Sequence, residues 1–317
     1  MKFTKLFILI LVLAMAISFV TSCTDAPSGG NEPEDKPVTS QSQQEPSENN
    51  TEETEKPDET ETPETSSPSG AATVESHVIF EDSGIKITVK ELDMDAFFGP
   101  ELKFLIENDT EEDVEVTVNS VSVNGYAISS YLFTDVSAGK KANDYISLSE
   151  SDLEERGISV IADIELDFIV YKNDSWDLIC QSDMIRIETS AAVGFVYTYD
   201  ESGVEAYNDN GVLIVTKGID EDEFLGESVV VYIYNKNDAA VTVSARNVSV
   251  NGFMLDPIFS VSVPAGKHAL QKLYFFDSDL EENEIEHLDD VEITFYIYYT
   301  DTWDDIAYSD PVHVTRN

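Results

Sequence analysis

Basic residues are scarce in this chain: 18 Lys and Arg stand against 63 Asp and Glu, a formal net charge of −45 over 317 residues. Proteins bind phosphate backbones by neutralising them with Lys and Arg, so nucleic acid is excluded as a partner. Unaided docking on anionic lipid or wall polymer is disfavoured on the same ground, although divalent cations could bridge. A basic protein or a neutral glycan stays open. Cysteine is nearly absent, with Cys23 and Cys180 alone, which rules out a disulfide framework. The four histidines (His77, His268, His287, His313) show no metal-ligand spacing. Phosphate loops, G-x-S-x-G and Gly-rich dinucleotide turns are missing. Ser137-Ala138-Gly139-Lys140 formally fits S-x-x-K, but the matching position further along the chain is Pro264. These absences lead us to expect no cofactor and no enzyme activity. Apolar runs long enough to span a bilayer, about 20 residues, are missing as well.

The longest apolar run, Leu6 to Val20, follows the basic start Met1-Lys2-Phe3-Thr4-Lys5 and ends in Val20-Thr21-Ser22-Cys23. Its length suits the apolar region of a secretory signal. An aliphatic residue, two small residues and a cysteine resemble the bacterial lipobox. That resemblance implies cleavage of residues 1–22, lipidation of Cys23 and placement on the extracytoplasmic face of a membrane. Each buried acyl CH₂ contributes roughly 0.8 kcal/mol, so two or three chains anchor stably where one is marginal.

Aromatic residues are absent from 24–73, and Val38 is the only branched aliphatic there. The segment holds seven of the eleven prolines and 13 Asp/Glu against Lys36 and Lys56, a net charge of −11. Such a composition cannot bury enough apolar surface to offset the entropy of ordering. Residues 23–76 are therefore read as a disordered acidic tether.

The remainder is one domain written twice, 77–190 and 204–317, offset by 127 residues without a gap. Val121-Ser122-Val123-Asn124-Gly125 recurs as Val248-Ser249-Val250-Asn251-Gly252, and Ala138-Gly139-Lys140 as Ala265-Gly266-Lys267. Ser151-Asp152-Leu153-Glu154-Glu155 recurs as Ser278-Asp279-Leu280-Glu281-Glu282, and Asp174-Ser175-Trp176-Asp177 as Asp301-Thr302-Trp303-Asp304. About a third of the aligned positions are identical, which marks a duplication. The internal period is 2: Leu102, Phe104 and Ile106 alternate with charged residues, as do Ile164, Leu166, Phe168 and Val170. Strands are expected near 78–81, 85–91, 101–107, 114–123, 126–136, 162–171 and 177–188, with an eighth near 143–149. Asn124-Gly125 and Asn251-Gly252 supply two-residue hairpin turns. Ser151 and Ser278, each three residues before a Glu, read as caps opening a short helix that plugs Leu153 or Leu280 into the core. The fold class is thus all-β, with two tandem antiparallel β-sandwiches behind the signal peptide and tether. The join, 191–203, carries Ala191, Val193, Phe195, Val196 and Tyr197 and is expected to pack and restrict motion between the sandwiches. The segments around Val121–Gly125, Ala138–Lys140, Ser151–Glu155 and Trp176-Asp177 resemble a repeat domain of uncharacterised clostridial lipoproteins. The resemblance covers 77–317 and implies immunoglobulin-like sandwiches on a Gram-positive surface, with no catalytic residues.

Three places are candidates for contact with a ligand. Trp176 and Trp303 are either exposed platforms for a sugar face or a protein, or core plugs. Tyr171, Tyr296 and Tyr298 fall on the polar side of their strands; Tyr296 and Tyr298 form either a binding stripe or a second packing surface, including a contact between the domains. Asp93-x-Asp95 and Asp220-x-Asp222 place hard oxygens at alternate positions, weak candidates for Ca²⁺; the bland alternative is an exposed loop with Phe97 and Phe224 tucked into the core. Cys180, matched by Ala307, reads as a buried free thiol. The function expected from all this is a membrane-anchored, non-catalytic binding or adhesion module for a protein or glycan. The alternative is a structural spacer of an envelope complex with no ligand of its own.

Overall fold

The computed structural model describes residues 72–222 and 226–316. The signal, Cys23 and the tether up to residue 71 lie outside the described residues. The chain is all-β, and the two repeats share one element order. The first runs β1 (His77–Asp82), β2 (Ile85–Asp93), β3 (Glu101–Asn108), β4 (Val114–Val123), β5 (Tyr126–Ala127), β6 (Phe133–Val136), β7 (Lys141–Ser147), α1 (Glu150–Glu155), β8 (Asp163–Lys172), β9 (Leu178–Gln181) and β10 (Ile185–Glu188). The second runs β11 (Val204–Asp209), β12 (Val212–Asp222), β13 (Gly226–Asn235), β14 (Val241–Val250), β15 (Phe253–Met254), β16 (Ser260–Val263), β17 (His268–Tyr274), α2 (Asp277–Glu282), β18 (Asp290–Tyr299), β19 (Asp305–Tyr308) and β20 (Val312–Thr315).

Within each repeat the chain crosses between two sheets as in an immunoglobulin-like sandwich. In the first, β1-β2-β3-β7 form one sheet; β4 pairs with β8 in the other, with β5 and β6 beside β4 and β9 and β10 beside β8. The alternating apolar residues meet between the sheets, where Phe104 and Phe168 pack edge to face at 5.6 Å, and Phe259 and Phe295 at 6.0 Å in the second copy. The 126–136 stretch is two short strands rather than one, and 177–188 is likewise split. At the second break Ser182 restores the ladder: its hydroxyl accepts from Phe168 N at 2.8 Å, as Ser309 does for Phe295.

Asn124 and Asn251 turn their hairpins at φ 47° and 51°, and each also ties its turn to the start of β8 or β18. Asn124 Oδ1 accepts from Ala162 N (2.8 Å) and Asp163 N (3.2 Å), and its Nδ2 donates to Val160 O (2.7 Å). Asn251 repeats this with Asp289, Asp290 and His287. The helix caps differ from expectation. Ser149, not Ser151, caps α1, accepting from Asp152 N at 3.4 Å. The reason is that Leu148 N is still bonded to Pro100 O in the sheet, so the chain turns into the helix immediately afterwards and Ser151 falls inside it. Phe276 takes the cap position of α2, without a side-chain cap. Leu153 is buried and Leu280 packs on the second core.

Residues 72–76, read above as the end of the tether, pack on the first sandwich. Ala72 and Val74 are buried, Thr73 N donates to Ser190 Oγ at 3.0 Å, and Ser190 N donates to Thr73 O at 2.8 Å. Because Ser190 lies just past the last strand of repeat 1, these two bonds make the chain enter the first sandwich at the same end at which it leaves towards the second.

That end is where the two repeats fuse. His268 N donates to Gly125 O at 2.9 Å, and β5 pairs in parallel with β17 at Tyr126 and His268. The second sheet of repeat 1 thereby continues into the first sheet of repeat 2 as ten strands. Around this bridge lies a box of rings. His268 is stacked between Tyr199 (3.4 Å) and Tyr234 (3.9 Å), and its Nδ1 shares a 2.7 Å hydrogen bond with the Tyr232 hydroxyl. Tyr126 packs against Tyr197, Tyr199 and Tyr232. Polar ties surround the box: Lys267 to Glu165 (2.6 Å), Lys272 to Glu155 (2.8 Å), and the buried Arg156 to Leu270 O (3.0 Å). Of the apolar join residues, Ala191 is buried and Tyr197 packs on the core, whereas Val193 and Val196 are exposed.

Two outcomes follow. Asn124→Gly keeps the positive φ but strands three backbone groups, so urea denaturation should show a loss of about 3 kcal/mol, centred on repeat 1. Burial, with the nearby Lys267 and Lys236, pulls the pKa of His268 from 6.5 down to about 4. Below pH 6.5 the unfolded chain takes up a proton that the folded junction refuses. Stability is therefore intact above pH 6.5 and falls between 6.5 and 4, by on the order of 3 kcal/mol in all. Comparing wild type with His268→Gln over that window isolates this slope, which the variant should lack.

Candidate functional site

The outer faces of the two β8/β18 sheets carry the aromatic candidates. Phe295 and Ile297 point into the core of repeat 2, so Tyr296 and Tyr298 leave the same strand on its other face, where Tyr296 is half-buried and Tyr298, at 7% exposure, is packed beneath its neighbours. The turn after β18 is closed at both ends: Trp303 N donates to Tyr299 O (2.9 Å) and Tyr299 N to Asp304 O (3.0 Å). The turn after β8 has the same two bonds, Trp176 N to Lys172 O and Lys172 N to Asp177 O, each 2.9 Å. Trp176 and Trp303 occupy the left-handed region at φ 59° and 63°, where a bulky L-residue is strained. Neither is a core plug: they are 61% and 70% exposed.

Behind Trp303 the rings form a continuous row. Trp303 stacks on Tyr298 at 5.2 Å, Tyr298 on Tyr296 at 5.0 Å, and Tyr296 on Tyr308 of β19 at 4.7 Å, all within 30° of parallel. Arg246 lies over Tyr296 at 5.6 Å. The Tyr296 hydroxyl donates to Asp305, which pushes its pKa up to about 12. Across the sheet Tyr298 faces Thr242 and Tyr296 faces Ser244. Both small residues are buried although they point outward, which places them beneath their ring-bearing neighbours. Ser260 and Ser262, one strand further out, are exposed and complete a row of hydroxyls.

Repeat 1 presents the same geometry with other chemistry. Trp176 and Tyr171 are 6.1 Å apart. Ile169 stands where Tyr296 is, Gln181 where Tyr308 is, Asn119 where Arg246 is, and Phe133 and Leu178 are exposed on this side. Glu115 replaces Thr242; burial, then the nearby Asp135, raises its pKa, and its Oε1 finds no hydrogen-bond partner among the described residues. The tyrosine row thus stands apart from the contact between repeats, which uses a different set of rings. Tyr308, Arg246, Asp305 and the hydroxyl row were missed from sequence. Thr242 and Ser244 alternate visibly with Val241 and Val243, but nothing in the sequence says which strand lies opposite.

The acidic loops are occupied by lysines. Asp93 Oδ2 lies 2.6 Å from Lys103 Nζ and its Oδ1 accepts from Asp95 N at 3.1 Å; Lys103 holds its pKa below the usual range. Asp220 lies 3.0 Å from Lys272. The side chain of Asp222 and all of Phe224 lie outside the described residues. No group of three or more His, Cys, Asp or Glu able to hold a metal ion occurs among the described residues. Phe97 does not tuck into the core: it is 89% exposed and packs on Phe98. Cys180 is buried and unbridged, and burial raises its pKa to about 11. His287 and His313 hydrogen-bond carboxylates, Glu227 at 2.9 Å and Asp290 at 3.0 Å. Burial would raise Glu227, but Arg316, Leu288 N and His287 together pull it down to about 2, tying the last strand to β13. No helix among the described residues is long and apolar enough to cross a membrane.

No family model and no curated protein matches the chain. Among solved structures, the Amycolatopsis orientalis exo-chitosanase CsxA is similar at 13% identity over 68% of this chain and 25% of that one, with a TM-score of 0.23. Red sea bream transglutaminase follows at 9% identity, 74% and 31% coverage and a TM-score of 0.22. A Porphyromonas gingivalis W83 protein of unknown function gives 12%, 68%, 91% and 0.20. The chain spans about a quarter of the length of the first of these. At such scores the similarities carry no argument about function.

With only two tryptophans in the chain, quenching reads these faces directly. Acrylamide should quench nearly all of the emission of the full chain at a rate close to that of free indole. A protected fraction near one half would mean that one of the faces is covered in solution.

Proposed function

We propose that this chain is an extracytoplasmic, lipid-anchored binding module without catalytic activity, holding two sheet faces in a fixed relation. The observation that carries the reading is the pair of exposed tryptophans at matching turns, each held in the left-handed region. Glycine would remove the strain there, and exposure on both copies gives folding little return for a bulky ring in that conformation. Aromatic rings that are large, stiff and partly polar are the side chains that repay exposure by contact with a partner. Cys23 and its lipobox-like surroundings supply the address, and the acidic segment behind it supplies reach. The fixed junction adds a further argument. Two weak sites held at a set spacing gain effective concentration on a partner that can meet both.

The test is retention of the full chain on purified cell walls and on immobilised envelope proteins, against the Trp176→Ala/Trp303→Ala double variant. The expected outcome is retention that falls about tenfold or more in the variant. Retention by neither material, or retention indifferent to the double substitution, would leave the spacer as the better description.

A further inference from the structure

Repeat 2 differs from repeat 1 on its outer face in a way that selects a ligand. We propose that the row Tyr308, Tyr296, Tyr298 and Trp303 is a platform for a neutral glycan chain, and that repeat 1 has no such site. The proposal rests on the binding-module reading and narrows it to one face and one chemical class.

Residues 204–317 carry 22 Asp/Glu and six Lys/Arg, a net charge of −16, which repels polyanions such as acidic polysaccharide or nucleic acid. The same charge would draw in a basic partner, opposed at the row itself only by the guanidinium of Arg246 over Tyr296. The composition of the face argues against a protein partner of either sign. Its outward residues are rings and hydroxyls: Ser260 and Ser262 exposed, Thr300 half-buried, with Thr242 and Ser244 beneath. Serine is depleted where proteins meet, and hot spots there need a dry apolar centre. Repeat 1 has that character in Phe133, Ile169 and Leu178; the matching positions in repeat 2 are Ser260, Tyr296 and Asp305.

A sugar ring is the complementary object. Its C–H faces lie on the two exposed end rings, Tyr308 (59%) and Trp303 (70%), while its hydroxyls exchange hydrogen bonds with serine, threonine, Asp305 and Arg246. Tyr296 and the buried Tyr298 are stacked between those ends, with centroids stepping by 4.7 to 5.2 Å, and hold the two outer rings at a fixed spacing along one chain of sugars. The hydroxyls beneath the row are already satisfied among themselves, Thr242 with Thr300 at 2.9 Å and Ser244 with Ser260 at 3.0 Å. The rings are therefore supported from below and present a preformed surface, which keeps the entropic cost of binding low.

The experiment uses the full chain carrying Trp176→Phe, so that all tryptophan emission comes from Trp303. It is titrated with an array of neutral oligosaccharides, with hyaluronan as a polyanion and poly-lysine as a polycation. The expected result is a saturable shift of Trp303 emission by at least one neutral oligosaccharide. Tyr308→Ala should weaken that binding about tenfold, while Tyr308→Phe, which keeps the ring, stays within about threefold. Far-UV circular dichroism on each variant confirms the fold. If no neutral oligosaccharide shifts Trp303, if the shift is indifferent to Tyr308→Ala, or if only poly-lysine titrates it, the proposal is overturned. Should envelope proteins still be retained through Trp176 in that case, the binding-module reading survives while the glycan assignment does not.

Discussion

An open edge of a β-sheet is a row of unpaired donors and acceptors, and how each repeat closes its edge governs the rest of this structure. In repeat 2 the edge strand β17 is met by two residues of repeat 1 and sealed by the tyrosines around His268. The matching edge in repeat 1, β7, is left open and defended by charge: Lys141 reaches Glu107, which also holds Lys86 at 3.0 Å. Tyr232 and Tyr234 stand where repeat 1 has Leu105 and Glu107, and His268 where it has Lys141. One copy of the domain is thus written to be joined and the other to stay free at this edge. A chain of further copies would need the aromatic set again.

The fold was legible from period and turn chemistry. Alternation set the strands, Asn-Gly set the β4/β5 and β14/β15 hairpins, and the 127-residue offset set the duplication. The misplaced helix cap shows the limit of a local motif, because Ser149 was selected by where Leu148 leaves the sheet. The junction had a sequence signal that alternation alone concealed. Lys86 and Thr88 of repeat 1 become Leu213 and Val215 of repeat 2, so that Val212-Leu213-Ile214-Val215 is apolar on both faces. Such a run marks a strand covered on both sides. Tyr296, Tyr298 and Trp303 were visible as candidates, but the row they form with Tyr308 depends on strand pairing across the sheet, which composition does not encode.

Cations are scarce, and several of those among the described residues hold structural positions. Lys267 and Lys272 are mostly buried and bridge the repeats to Glu165 and Glu155. Removing one partner of such a pair leaves the other unpaired in a poorly solvated place and costs more than the pair is worth. Lys103 and Lys172, on the surface, hold carboxylates in pairs of the kind that contribute little. The acidic surplus is left facing solvent, where it keeps copies of the chain apart and partners of like charge away.

The stitch between Thr73 and Ser190 has a mechanical consequence. Ser190 follows Thr189, whose N donates to Ala162 O, and Ala162 N is held by Asn124, whose neighbour Gly125 carries the bond to His268. A pull on residues 72–76 therefore reaches the seam between the repeats before it loads either core.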